Sequence, residues 1–161
     1  MVEVITTKMF TNTFSSLVFA NKFVENFKNW KESKTDSPLF GKDAGYREPK
    51  LSSGYLMHVH TPPNKKEERY KWDEKHKHGY EKTSNSALVY VKRGDSYLLI
   101  DWIKENAHEE TDYSPIAKAK LKKFAEIAEK FLSRETLAER FTQLTAKNNL
   151  LQSILKKSAR L

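Results

Sequence analysis

The chain of 161 residues contains no cysteine. Disulfides, thiolate zinc sites and thiol nucleophiles are therefore excluded, and folding rests on burial alone. Long apolar runs are also missing, since none approaches the roughly 20 residues that a membrane-crossing helix needs. The opening MVEVITTKMF has no basic stretch feeding into an apolar one, so no secretory leader is expected. Together these absences point to a cytoplasmic protein with no membrane partner.

Positive charge is what the sequence has in excess. Lys and Arg number 29 against 21 Asp and Glu, a net +8. A basic surplus in a small protein favours a polyanionic partner, most simply RNA or DNA. The plain alternative is a solvated surface that happens to be basic.

Hydrophobic periodicity gives the element order. Residues 2–8 are β-branched and read as a strand. Asn12 or Thr13 then caps a helix to about Lys31, with Leu17, Ala20, Val24, Phe27 and Trp30 at three- and four-residue spacing. Residues 33–54 carry Pro and Gly throughout and read as loop. Three strands follow at 55–60, 86–92 and 97–103. The last two are joined by a turn at Arg93-Gly94-Asp95 and so are antiparallel neighbours. Residues 97–103 are apolar on both faces except Asp101, as befits a central strand. The polar connection 61–85 is too long for a hairpin and reads as a charged loop.

Ser114-Pro115 is a helix start, and Ala117, Leu121, Phe124, Ala128 and Phe131 share one face as far as Leu132. Ser133 caps a second helix over 134–158. Its Leu137, Phe141, Leu144, Leu151 and Leu155, with Asn148 in the remaining slot, form a short heptad seam. That seam suits docking on a body or partner, including a second copy of the chain. The expected fold is α+β, a small, largely antiparallel sheet with an N-terminal helix and C-terminal helices gathered against it. Residues 1–132 read as the domain and 133–161 as a helical extension.

The chemistry turns on histidine. His58 and His60 share one strand face, while His76 and His78 lie in the charged connection. Two His-x-His pairs form only a weak metal signal, and neither a metal nor another cofactor is expected. His108 reads as an ordinary surface residue. Metal-free RNA cleavage needs a group to accept the 2′-OH proton, another to protonate the leaving oxygen, and a cation for the phosphorane. His58 and His60 answer the first need. Lys82, Lys92, Arg93 and the cluster of Lys65, Lys66, Arg69, Lys71, Lys75 and Lys77 answer the last. Tyr70, Trp72 and Tyr80 lie among these cations and suit stacking on unpaired bases. Against this, Glu67, Glu68, Asp73, Glu74 and Glu81 offset much of the charge.

Specific strings go further. Leu39-Phe40-Gly41-Lys42-Asp43 with Tyr46, then His58-Val59-His60, then Lys82-Thr83-Ser84-Asn85 leading into Leu88-Val89-Tyr90, then Leu98-Leu99-Ile100 and the helix 116–131 resemble, in the same order, the segments of the YafO family of toxins. The likeness spans about residues 36–132. It implies a RelE-like fold, ribosome-dependent mRNA cleavage, growth arrest, and neutralisation by a cognate antitoxin. The polar positions carried over are Lys42, Asp43, Tyr46, His58, His60, Lys82, Thr83, Ser84 and Tyr90. On this reading His58 and His60 transfer protons and Lys82, where the family motif has Arg, meets the phosphate. Tyr80 assists them, and Thr83, Ser84, Tyr90, Lys92, Arg93, Lys75, Lys77 and Arg69 hold RNA. The alternatives are a non-catalytic nucleic-acid-binding regulator, whose partner surface is the last helix, and a metal-dependent hydrolase using the histidine pairs.

Overall fold

A computed structural model describes residues 1–112, 114–133 and 144–152. The elements run β1 (Glu3–Thr6), α1 (Lys8–Thr11), α2 (Leu17–Ser33), β2 (Asp43–Gly45), β3 (Leu56–His60), α3 (Lys66–Lys77), β4 (Ala87–Arg93), β5 (Ser96–Ile103), α4 (Ala107–Glu110) and α5 (Pro115–Leu132). The strands form one sheet in the order β1-β5-β4-β3-β2. The fold is α+β, as the element order predicts. One pairing departs from the expected antiparallel pattern, because β1 lies parallel to β5, with Glu3 opposite Ser96.

Each sheet face has its own core. On one, Leu56, Val89, Val91, Leu98 and Ile100 meet Leu121, Phe124, Ala128 and Phe131 of α5. On the other, Val59, Leu88, Tyr90, Tyr97 and Leu99 meet Phe10 and Phe27, with Phe23 and Trp30 packed around them. A bulge leaves Ile100 without a partner on β4, since Val89 faces Asp101 while Tyr90 faces Leu99. The extra residue turns Asp101 toward α5, where Lys120 lies 3.8 Å away.

Several boundaries differ from the periodicity. The long helix starts at Leu17 and not near Thr13, because Ser16 supplies the cap by accepting from the Phe19 amide. Leu17 is consequently exposed, along with Val18 and Phe19. Thr7 caps the separate turn α1. The stretch 33–54 hides the short strand β2, paired to β3.

The largest correction concerns 61–85, which holds the twelve-residue helix α3. Acidic Glu67 and Glu68 occupy its first turn and Lys75, His76 and Lys77 its last, matching the helix dipole. Charged pairs at helical spacing, Lys65–Glu68, Arg69–Asp73 and Lys77–Glu74, line its surface. Its single anchor is Trp72, 1% exposed, whose indole donates to the Pro38 carbonyl at 2.8 Å. A helix with one buried side chain leaves no apolar stripe to read.

Residues 144–152 are helical, and Leu144 and Leu151 there are exposed. The remainder of the expected helix over 134–158, including Leu137, Phe141 and Leu155, lies outside the described residues.

Candidate active site

The face of β3 that carries Leu56 into the α5 core carries His58 and His60 beyond the end of that core. Their neighbours across the sheet are small, Ala44 beside His58 and Ala87 beside His60. With Ala107 these small side chains leave a cleft of about 200 Å³, lined by Tyr46, His58, His60, Ala87, Ala107, His108 and Thr111. The rings form a chain, with centroids 4.4 Å apart for Tyr46–His58, 5.6 Å for His58–His60 and 5.5 Å for His60–His108. The three imidazoles do not converge, and among the described residues no group of three His, Cys, Asp or Glu is placed to hold a metal ion.

His60 is held on every side. Its amide donates to the Lys42 carbonyl and its carbonyl accepts from the Gly41 amide, both at 2.9 Å. Its Nδ1 lies 2.7 Å from the Ser84 carbonyl and 3.2 Å from the Ser84 amide. One nitrogen cannot serve both in the neutral ring. The shorter contact requires Nδ1 to donate, which leaves the lone pair on Nε2. Burial holds the His60 pKa below the ordinary imidazole value, opposed by the Ser84 hydrogen bond and reinforced by His108 and Lys42. His58 is pushed further, from 6.5 to about 4, first by burial and then by His60. Its Nδ1 is buried without a hydrogen-bond partner among the described residues. Both rings are therefore neutral at pH 7. Burial also pushes the Tyr46 phenol up to about 12, opposed by a hydrogen bond to Thr111.

The His58 shift has a consequence for stability. Between pH 6.5 and about 4 the unfolded ring binds a proton that the folded ring refuses. The stabilisation is complete above pH 6.5 and declines as pH falls through that window. The urea midpoint is expected to drop between pH 7 and pH 5, with a shallower drop in a His58→Leu variant. Equal slopes in the two proteins would contradict it.

His108 reaches the cleft because Asn85 fastens α4. The Asn85 carbonyl accepts from the Ala107 amide, its side-chain oxygen accepts from the His108 amide at 2.8 Å, and its amide group donates to Glu109. The expectation of an ordinary surface residue is thus corrected: His108 is exposed, yet it forms one wall of the site. Nothing in its local sequence marks it, since its partners lie over twenty residues away.

Other assignments also change. Lys82 does not face the cleft: it is 3% exposed, and its Nζ binds Asp36 at 2.5 Å, with His76 Nδ1 at 3.2 Å. That ammonium holds the Asp36 carboxyl below its usual range. The cation whose charge reaches His58 and His60 is instead the exposed Lys42, which lies 3.3 Å from Glu81. Tyr90 cannot meet RNA, because it is 2% exposed and donates to Asp43 at 2.7 Å, with Lys31 bound to both. The Asp43–Lys31–Tyr90 group ties α2 to β2 and β4. Arg93 donates to the Phe131 and Leu132 carbonyls, so it closes the C-terminus of α5 rather than binding nucleic acid.

Ser84 spends its hydroxyl on the Thr61 and Ser86 carbonyls, leaving its backbone to position His60. Lys92 is exposed over the Tyr97 ring, on the α2 side of the sheet and away from the histidines. Tyr80, exposed beside His78, does not line the cleft. Arg69 and Lys77 pair with neighbours on α3, whereas Lys75 and Thr83 line a second cavity.

No helix among the described residues is long and apolar enough to cross a membrane. No curated protein and no solved structure matches the chain. Residues 28–133 match the model of one family, described as toxin YafO of type II toxin-antitoxin systems. That match runs from α2 through the end of α5 and takes in the whole of the histidine cleft. The chain belongs to the YafO toxin family.

Proposed function

We propose that this toxin is a metal-independent endoribonuclease that cleaves mRNA on the ribosome in the cytoplasm. The observation that carries the reading is His60, fixed by Ser84 with its Nε2 lone pair free, facing His108 across a cleft of about 200 Å³. In this scheme His60 Nε2 takes the proton of the 2′-OH as that oxygen attacks the adjacent phosphorus. The bond to the 5′-oxygen breaks, and the exposed His108 supplies the proton that this oxygen needs. Lys42, whose charge acts on both histidines, offsets charge on the phosphorane. Tyr46 and His58 pack with tilted rings as one wall, and the neutral His58, its Nδ1 without a partner among the described residues, favours a bound one. The net +8 supports a polyanionic substrate.

Membership of a type II system implies a cognate antitoxin. We take residues 1–132 as the toxin domain and 133–161 as an extension. The exposed Leu144 and Leu151 support a partner or a second copy as its target.

The test is expression from a tight promoter, with primer extension on cellular transcripts. Growth arrest together with new transcript ends is expected. Normal growth and intact transcripts at verified expression would overturn the reading, and salt-sensitive RNA binding without cleavage would replace it with a regulator.

A further inference from the structure

A second cavity, of about 150 Å³, lies on the other side of Ser84 from His60. Pro63, Glu68, Lys71, Trp72, Lys75 and Thr83 line it with Ser84. Lys71 and Lys75 are one helical turn apart on α3 and so project from the same face. Among the described residues neither has an ion-pair partner, whereas Arg69 and Lys77 on the same helix do. The single carboxylate in the wall, Glu68, is 3.8 Å from Lys65. Two uncompensated ammonium groups thus face an indented surface with an exposed threonine at its rim and the Trp72 and Pro63 surfaces behind it.

The position matters as much as the charge. Ser84 connects the two sites, since its backbone is hydrogen-bonded to His60 and the same residue lines the lysine cavity.

We propose that the Lys71–Lys75–Thr83 cavity binds a backbone phosphate of the RNA strand, flanking the phosphate at the histidines. This rests on the ribonuclease reading for its choice of RNA, but it concerns binding and can fail separately. Lysine suits the task as a point charge that tolerates any base, so the subsite holds the strand without reading its sequence. It also gives α3 a purpose beyond covering Gly41.

The experiment measures binding of a short fluorescein-labelled single-stranded RNA to the full-length His60→Asn protein, which cannot consume the probe, across a series of KCl concentrations. Adding Lys71→Gln and Lys75→Gln is expected to weaken binding several-fold at moderate salt. It should also flatten the slope of log affinity against log salt by about 0.7, the value for one neutralised phosphate on a single strand. The same loss is expected on RNAs of different sequence. Lys118→Gln with Lys122→Gln removes equal charge from exposed positions on α5, outside the cavity, and is expected to leave the slope nearly unchanged. An equal loss in both pairs, no loss in the first, or no measurable binding by the parent would overturn the subsite. Wild-type protein that binds RNA in a Lys71- and Lys75-dependent way yet never cleaves would overturn the ribonuclease reading and leave the subsite standing.

Discussion

His60→Asn should lower RNA cleavage by about 10²–10⁴-fold, the contribution of one positioned acid–base group, while the protein melts close to the parent temperature. The reason lies in which nitrogen does what. Nδ1 donates to the Ser84 carbonyl at 2.7 Å, and an asparagine amide reaches the same place with a donor. The clamp survives, but no group remains at Nε2 to accept a proton. His60→Ala is the less informative change, since it also strands the buried Ser84 carbonyl at a cost of about 1–3 kcal/mol. His108→Ala, at an exposed position, is expected to cost under about 0.5 kcal/mol of stability while lowering cleavage. The loss of rate in acid that reports the base should lie below the ordinary imidazole value, because burial keeps His60 deprotonated until then. Toxicity and transcript cleavage at the parental rate in His60→Asn would remove His60 from the chemistry.

Gly41→Ala should destabilise the protein by about 3 kcal/mol or more, an overpacking cost at the upper end of its range. That corresponds to a fall in melting temperature of roughly 6–12 °C for a chain of this size. A methyl group on Gly41 would stand 2.2 Å from the Lys82 carbonyl oxygen, 2.7 Å from the Trp72 ring and 2.9 Å from Lys82 Cβ. One of these is backbone and another is the anchor of α3, so neither yields cheaply. The Gly41 and Lys42 amides donate to the His60 and Lys82 carbonyls, and any shift that relieves the clash pulls on His60. Activity should therefore fall with stability. A Gly41→Ala protein that melts like the parent would show that the segment can move aside at little cost.

The sequence showed the central strands well. Residues 97–103 lack a polar face, and β5 is indeed interior, between β1 and β4. The shared face of His58 and His60 on β3 was also legible, because period-two alternation alone puts them together. Buried or exposed status of single polar residues was much less legible. Lys82 and Tyr90 are good phosphate and RNA ligands by residue type, yet Asp36 and Asp43 claim them from more than forty positions away. Gly41 reads as one of the glycines of the 33–54 loop, but its need is space beside Lys82 and Trp72, which local patterning does not encode. His108 fails for the same reason, since Asn85 places it from a distant loop. α3 was hidden because charge spacing carries it while its apolar content is one tryptophan.

The parallel pairing of β1 with β5 has a bearing on synthesis. β1 leaves the ribosome first, but its partner begins at Ser96, and at about 5–20 residues per second the wait is several seconds or more. The cleft waits longer still, because His108 follows β5 and α5, which covers that face, follows His108. Contacts so distant along the chain also form slowly once both strands exist. A nascent or prematurely terminated chain that ends before α4 lacks one wall of the cleft, and one that ends before β5 lacks the middle of the sheet as well. The histidine cleft is thus completed only once α4 and α5 have followed β5.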